Sequence, residues 1–123
     1  MEVPGSWESR GLKGVDGQIW FTRSIEWPVG NTQGARITLG RIGNIADIWL
    51  NGQQLSPLAA DPAVRTPQVY EVPAGVLRAG ANTLTARISN MRGDGGFLGA
   101  PEVMAIQGEG HQVPLAGSWQ YRI

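Results

Sequence analysis

The stretch Ala46-Asp47-Ile48-Trp49-Leu50-Asn51-Gly52 decides the fold. Ile48 and Leu50 alternate with Asp47, Trp49 and Asn51, the period-two pattern of a strand with one face in a core and the other outside. Asn51 and Gly52 both tolerate positive φ, which a two-residue hairpin turn needs at its two central positions. The stretch therefore reads as a strand entering a hairpin that continues through Gln53 to Leu55. Its outer face sets an indole between an acid and an amide, a combination suited to a sugar ring.

Upstream, Gln18 to Trp27 reads as a strand closed by Pro28, with Phe21 and Ile25 on one face and Trp20, Thr22 and Ser24 on the other. Residues 1–17 read as mostly loop. Asn31 to Gly34 is a turn, and Ala35 to Ile42 is a strand pointing Ile37 and Leu39 inward. Downstream, residues 56–67 are a loop with three prolines. Gln68 to Val72 is a short strand, Pro73 to Leu77 one helical turn with Val76 and Leu77 capping the core, and Ala79 to Asn82 a turn. Thr83 to Ser89 is a strand with Leu84, Ala86 and Ile88 inside. After a glycine-rich loop over 90–101 come strands at Val103 to Gln107, His111 to Leu115 and Ser118 to Ile123, the first two joined by a Gly-Glu-Gly turn. In the last strand Trp119, Tyr121 and Ile123 share a face, and that alignment places Trp119 in the core. About eight short strands at spacings of roughly 8–12 residues, with no amphipathic helix of ordinary length, exclude a βαβ architecture and predict an all-β antiparallel β-sandwich of jelly-roll type.

The 123 residues fit one domain. Ten basic residues balance ten acidic ones, so no nucleic-acid footprint and no anionic-membrane patch is expected. No apolar run approaches the ~20 residues of a membrane-spanning helix. The absence of cysteine excludes disulfides and thiolate metal sites. Nine of the ten basic residues are arginine, the cation suited to bidentate and stacked contacts. Met1-Glu2-Val3-Pro4 has neither the basic start nor the apolar stretch of a signal peptide. The opening Pro4-Gly5-Ser6-Trp7 phrase reads as an internal boundary, so residues 1–123 are expected to be one domain of a larger protein.

Catalytic chemistry finds little support. A Ser-His-Asp triad needs a base beside its nucleophile, and His111 is the only histidine, at a strand start with no activated-serine motif. Paired carboxylates for glycoside cleavage have no recognisable spacing. Gly93 to Gly96 precedes neither a helix nor a Gly-Lys-Ser/Thr sequence and is not a phosphate loop. No cofactor is expected. A structural calcium stays open, since loop carboxylates and carbonyls suffice for it.

Sugar binding asks for a flat aromatic with fork-like polar groups beside it. Trp20 and Trp49 fall out of phase with the core positions of their own strands. They read either as packed against loops on the outer sheet face or as a platform for a sugar or a neighbouring domain. Arg87, out of phase with Leu84, Ala86 and Ile88, reads as a partner of Asp47 or Glu102 or as a donor to a hydroxyl. Asp94 and Phe97, with Arg92, lie in the longest glycine-rich loop, and rim loops commonly carry function. Trp7 reads as a lid or a ligand contact. The candidate ligand-binding set is therefore Trp49, Trp20, Arg87, Asp47, Asp94, Phe97 and Trp7. Trp27 reads as an edge-packing residue, Trp119 as core, and Arg23 as a partly buried, paired arginine.

Several phrases together carry a family resemblance. Gly17-Gln18-Ile19-Trp20-Phe21-Thr22-Arg23 resembles the G-x-x-W-Y-R-R opening strand of the sugar-binding domains of glycoside hydrolase family 2, and Asp47 to Gly52 resembles their D-x-W-V-N-G hairpin. Tyr70 to Asn82 is similar to their Y-x-V-P-x-x-L-x-x-G-x-N stretch. Gly93 to Phe97 with Gly99 to Glu102, and then Leu115 to Ile123, is similar to the galactose-binding-like domain inserted in the sialate O-acetylesterase family. The resemblance implies a jelly-roll accessory domain beside an SGNH-type catalytic domain that removes acetyl groups from sugars. The chain has neither the Gly-Asp-Ser nor the Asp-x-x-His block of that catalytic domain. The resemblance therefore implies a non-catalytic, carbohydrate-binding domain of a secreted or periplasmic carbohydrate esterase. Its partners would be a polysaccharide or oligosaccharide and the esterase domain of the same polypeptide. The alternative it implies is a structural domain that docks on the esterase and shapes its cleft without its own sugar affinity.

Overall fold

The computed structural model describes residues 1–11, 17–30, 32–43, 45–57, 68–90 and 95–123. Its strands are β1 (Glu2–Val3), β2 (Gly5–Ser6), β3 (Gly17–Trp27), β4 (Arg36–Gly40), β5 (Ile45–Leu50), β6 (Gln53–Pro57), β7 (Gln68–Glu71), β8 (Gly80–Asn90), β9 (Gly96–Phe97), β10 (Ala105–Gly108), β11 (His111–Pro114), β12 (Gly117–Ser118) and β13 (Gln120–Arg122). Nine of them form one sheet in the order β11-β10-β4-β7-β6-β5-β8-β3-β13. Every pairing is antiparallel. The pairing thins to Ser56–Glu71 and Pro57–Tyr70 between β6 and β7, where the sheet folds over on itself. The result is the expected all-β antiparallel sandwich, with β5, β8, β3 and β13 in one layer and β7, β4, β10 and β11 in the other.

The alternating pattern works as written in the long strands. Ile19, Phe21 and Ile25 of β3, Ile48 and Leu50 of β5, and Leu84, Ala86 and Ile88 of β8 are buried. They meet Ile37 and Leu39 of β4, Tyr70 of β7 and Ile106 of β10 in a single core. The Asn51-Gly52 turn has φ of 51° and 83°, and Glu109-Gly110 repeats that geometry at 48° and 80° between β10 and β11. Both are two-residue turns with positive φ at each central position, the twist that matches the flanking strands.

Several local expectations are corrected. Trp27 is a core residue, not an edge one: it is buried, and its Nε1 donates to Thr32 Oγ1 at 2.8 Å. In the tail only Trp119 is buried, while Tyr121 and Ile123 stay 46% and 69% exposed. The alternation holds, since Tyr121 lies opposite the buried Phe21, but β13 is the edge strand of its layer, and there the inner-face positions after Trp119 stay open. Ala79 to Asn82 is not a free turn, because β8 already starts at Gly80. Pro73 to Leu77 is a turn closed by Val76 N–H donating to Pro73 C=O at 3.3 Å, with Leu77 buried and Val76 packed on the core as expected. The N-terminal segment is not a plain loop, since β1 pairs with β12 and β2 with β9.

One buried amide ties three segments together. Asn82 is 2% exposed. Its Nδ2 donates to Arg78 O at 2.8 Å and to Gly80 O at 3.0 Å, and lies 3.4 Å from Ile25 O. Its Oδ1 accepts from Arg78 N at 2.9 Å and from Asn51 Nδ2 at 2.8 Å. Removing a buried partner leaves the others unsatisfied at a cost above the net worth of a bond. Asn82→Ala is therefore expected to lower unfolding stability by about 3 kcal/mol, read as a fall in denaturant midpoint at unchanged slope.

Burial, with a smaller push from the Asp47 carboxylate, raises the Tyr70 phenol to about 12. An unfolded chain ionises that phenol near pH ~10, so between these values only the unfolded state releases the proton. The stabilisation is complete below pH ~10 and is lost as pH rises toward the folded value. Wild-type stability is expected to fall more steeply than that of Tyr70→Phe over this window, by up to roughly 2–3 kcal/mol, in denaturant titrations across alkaline pH.

Candidate functional site

Register places the outward side chains of five neighbouring strands, β6, β5, β8, β3 and β13, in rows. Asp47 lies opposite Arg87, Arg87 opposite Trp20, and Trp20 opposite Arg122. The next row runs Gln54, Trp49, Thr85, Thr22, Gln120. Directly opposed residues on one sheet face are close enough to interact, and long side chains reach diagonally as well.

They do so here. Trp20 and Trp49, two strands apart, lean together and stack with ring centroids 5.5 Å apart and planes inclined by 26°. The Arg87 guanidinium lies 5.3 Å from the Trp20 ring and 5.4 Å from the Trp49 ring. Its Nη2 donates to Asp47 Oδ2 at 2.6 Å, and Gln54 Nε2 donates to the other Asp47 oxygen at 3.2 Å. Arg87 Nε is buried without a hydrogen-bond partner. The ring faces offer that cation quadrupolar attraction in place of an oxygen. Arg87 and Asp47 keep 33% and 29% of their side-chain surface, so solvent still screens the pair.

Beside this cluster, Trp20, Thr22, Thr85, Gln120, Tyr121 and Arg122 line a groove of about 320 Å³, near the lower end of small-molecule sites. A second, smaller groove continues from Thr22 and Gln120 to Arg23, Ser24 and Ser118. Arg23 is held by carbonyls: Nη1 donates to Leu115 O at 2.7 Å and Nε to Ser24 O at 3.2 Å. Burial lowers its pKa below the ordinary guanidinium value.

The structure thus brings together four of the candidate residues, Trp20, Trp49, Arg87 and Asp47. Arg87 takes Asp47 as its partner; Glu102 is exposed on the short turn of 3-10 helix at Pro101–Val103. Trp7 and Phe97 are corrected: both are fully buried and present no face to a ligand. Phe97 packs edge-on to Phe21 at 5.2 Å and lies 5.1 Å from Trp119. The cause is the β2–β9 pairing, reinforced by Trp7 N–H donating to Gly95 O at 2.9 Å. A Cβ at Gly95 would lie 2.2 Å from the Trp7 ring, so the glycine there serves packing. Asp94 and Arg92 lie outside the described residues. His111 is exposed in the other layer, edge-on to Trp27 at 6.0 Å. Among the described residues no three His, Cys, Asp or Glu side chains gather as a metal set.

Gln54, Thr22, Thr85, Gln120 and Arg122 are not marked as site residues by the sequence. Alternation alone makes Thr22 and Thr85 outward, but only the pairing of β13 with β3 brings Gln120 and Arg122 beside Trp20.

The fold and the site define an all-β antiparallel sandwich with an aromatic and charged cluster on one outer face. Residues 6–94, well over half of the chain, match the family described as the beta-galactosidase second all-beta domain, and the chain belongs to that family. It is a non-catalytic all-β accessory domain of a beta-galactosidase-type glycoside hydrolase. The match is to a glycosidase domain, not to the acetylesterase family that the tail phrases resemble. No curated protein matches the chain.

Stacked indoles couple their transitions, so the near-parallel Trp20–Trp49 pair is expected to give an exciton couplet in circular dichroism. Trp20→Phe and Trp49→Phe should each remove the same couplet, whereas Trp27→Phe should leave it. A double-mutant cycle on Arg87 and Asp47 is expected to return roughly 0.5–1 kcal/mol of coupling that shrinks with added salt.

Proposed function

We propose that this domain contacts glycan chains through the groove beside Trp20, acting as a carbohydrate-binding accessory domain of its parent glycosidase. The observation that carries the reading is the composition of that one groove: an indole, two threonine hydroxyls, a carboxamide and a guanidinium on an open sheet face. A pyranose presents an apolar C–H face to an aromatic ring and hydroxyls to fork-like polar groups. The Asp47–Arg87 pair and the Trp49 stack support Trp20 from the other side and restrict its motion. The family match supports a glycosidase rather than an acetylesterase as the parent enzyme.

A second reading is that this face seats the rest of the enzyme. What favours it is that the two indoles stack on each other, which takes one ring face from each. One experiment separates the two. The 123-residue chain is titrated with a panel of soluble galactan, xylan and pectic oligosaccharides and followed by NMR. The glycan reading expects at least one member to shift β3, β8 and β13 resonances. Trp20→Ala is expected to abolish the response, and Glu71→Gln on the opposite layer to preserve it. A silent panel, or binding that survives Trp20→Ala, overturns the glycan reading in favour of docking.

A further inference from the structure

We infer that the groove beside Trp20 selects a sugar carrying a carboxylate, such as a hexuronic acid residue, over its neutral counterpart. This rests on the glycan reading above and specifies its ligand class. Among the described residues no carboxylate lines the groove, and its one charged side chain is Arg122. Arg122 is exposed and has no carboxylate partner among the described residues. Asp47, the acid of the neighbouring cluster, is already engaged by Arg87 and Gln54. In the adjoining groove Arg23 is held by two backbone carbonyls, so its charge is not cancelled by an acid either. The groove beside Trp20 itself therefore carries a single charge, and that charge is positive.

The arrangement fits the shape of such a sugar. Trp20 and Arg122 are directly opposed on neighbouring strands, a spacing of ~4.8 Å between backbones. A ring lying against the indole therefore has its exocyclic carboxylate beside the guanidinium fork, which binds carboxylates through two parallel hydrogen bonds. Thr22, Thr85 and Gln120 in the next row then face the ring hydroxyls.

The test compares oligogalacturonide with a neutral galacto-oligosaccharide of equal length, titrated into the full chain by calorimetry at low and high salt. A charge-assisted pair predicts about tenfold tighter binding of the acidic sugar at low salt, with the preference shrinking as salt is added. Arg122→Ala is expected to abolish the preference, so that the acidic and the neutral sugar bind with equal affinity. Arg122→Lys should restore part of the preference. Equal affinities in the wild type, or a preference that survives Arg122→Ala, overturn this inference while the glycan reading stands. Binding of neither sugar, together with a silent panel, overturns the glycan reading and this inference with it.

Discussion

The register of β5, β8 and β3 is the constraint on which the rest of the molecule depends. A slip of one residue would turn Ile48, Ala86 and Ile19 outward and bring Trp49, Arg87 and Trp20 into the core. The slip is blocked at one end by amides. Asn51 donates through its side chain to Asn82 and to Val76 O, while its own backbone and side chain bracket Thr83. The same asparagine that tolerates positive φ in the hairpin thus also locks that hairpin to the start of β8. Turn geometry and register are two outcomes of one residue.

With the register held, the two outer faces differ in kind. The second layer carries an exposed polar row of Ser56, Glu71, Arg36, Gln107 and Gln112, with no aromatic in it. That is an ordinary solvated surface. The first layer instead half-buries two tryptophans around a guanidinium that is itself tied to an acid. Shielding by the rings strengthens the pair, and the pair in turn fixes the rings. The asymmetry between the faces, more than any single residue, is what marks one of them as a site.

Much of this is legible in the chain itself. The two-residue period places the core positions of β3, β5 and β8, and the same period pushes Trp20, Trp49, Arg87 and Asp47 outward. What cannot be read is long-range. Nothing local tells that Glu2 and Ser118 are partners, that Phe97 sits in a strand paired with Gly5, or that the tail passes from β1 to β3 and ends as a sheet edge. Trp7 and Phe97 look available in the sequence because glycine-rich surroundings suggest open loops. In the fold those glycines are small so that large rings can lie against the backbone.

That close fit at Gly95 bears on where this domain begins. The first long strand starts at Gly17, and a boundary drawn there from strand content would look reasonable. Yet the Trp7 indole fills space against Gly95 and joins the same hydrophobic cluster as Phe97 and Trp119. Trimming the segment ahead of Gly17 would empty a tryptophan-sized volume, on the order of 3–5 kcal/mol in a domain of marginal stability. It would also strip the hydrogen-bonded neighbours of β9 and β12. The leading segment is therefore a keystone of the sandwich interior rather than a tether to it.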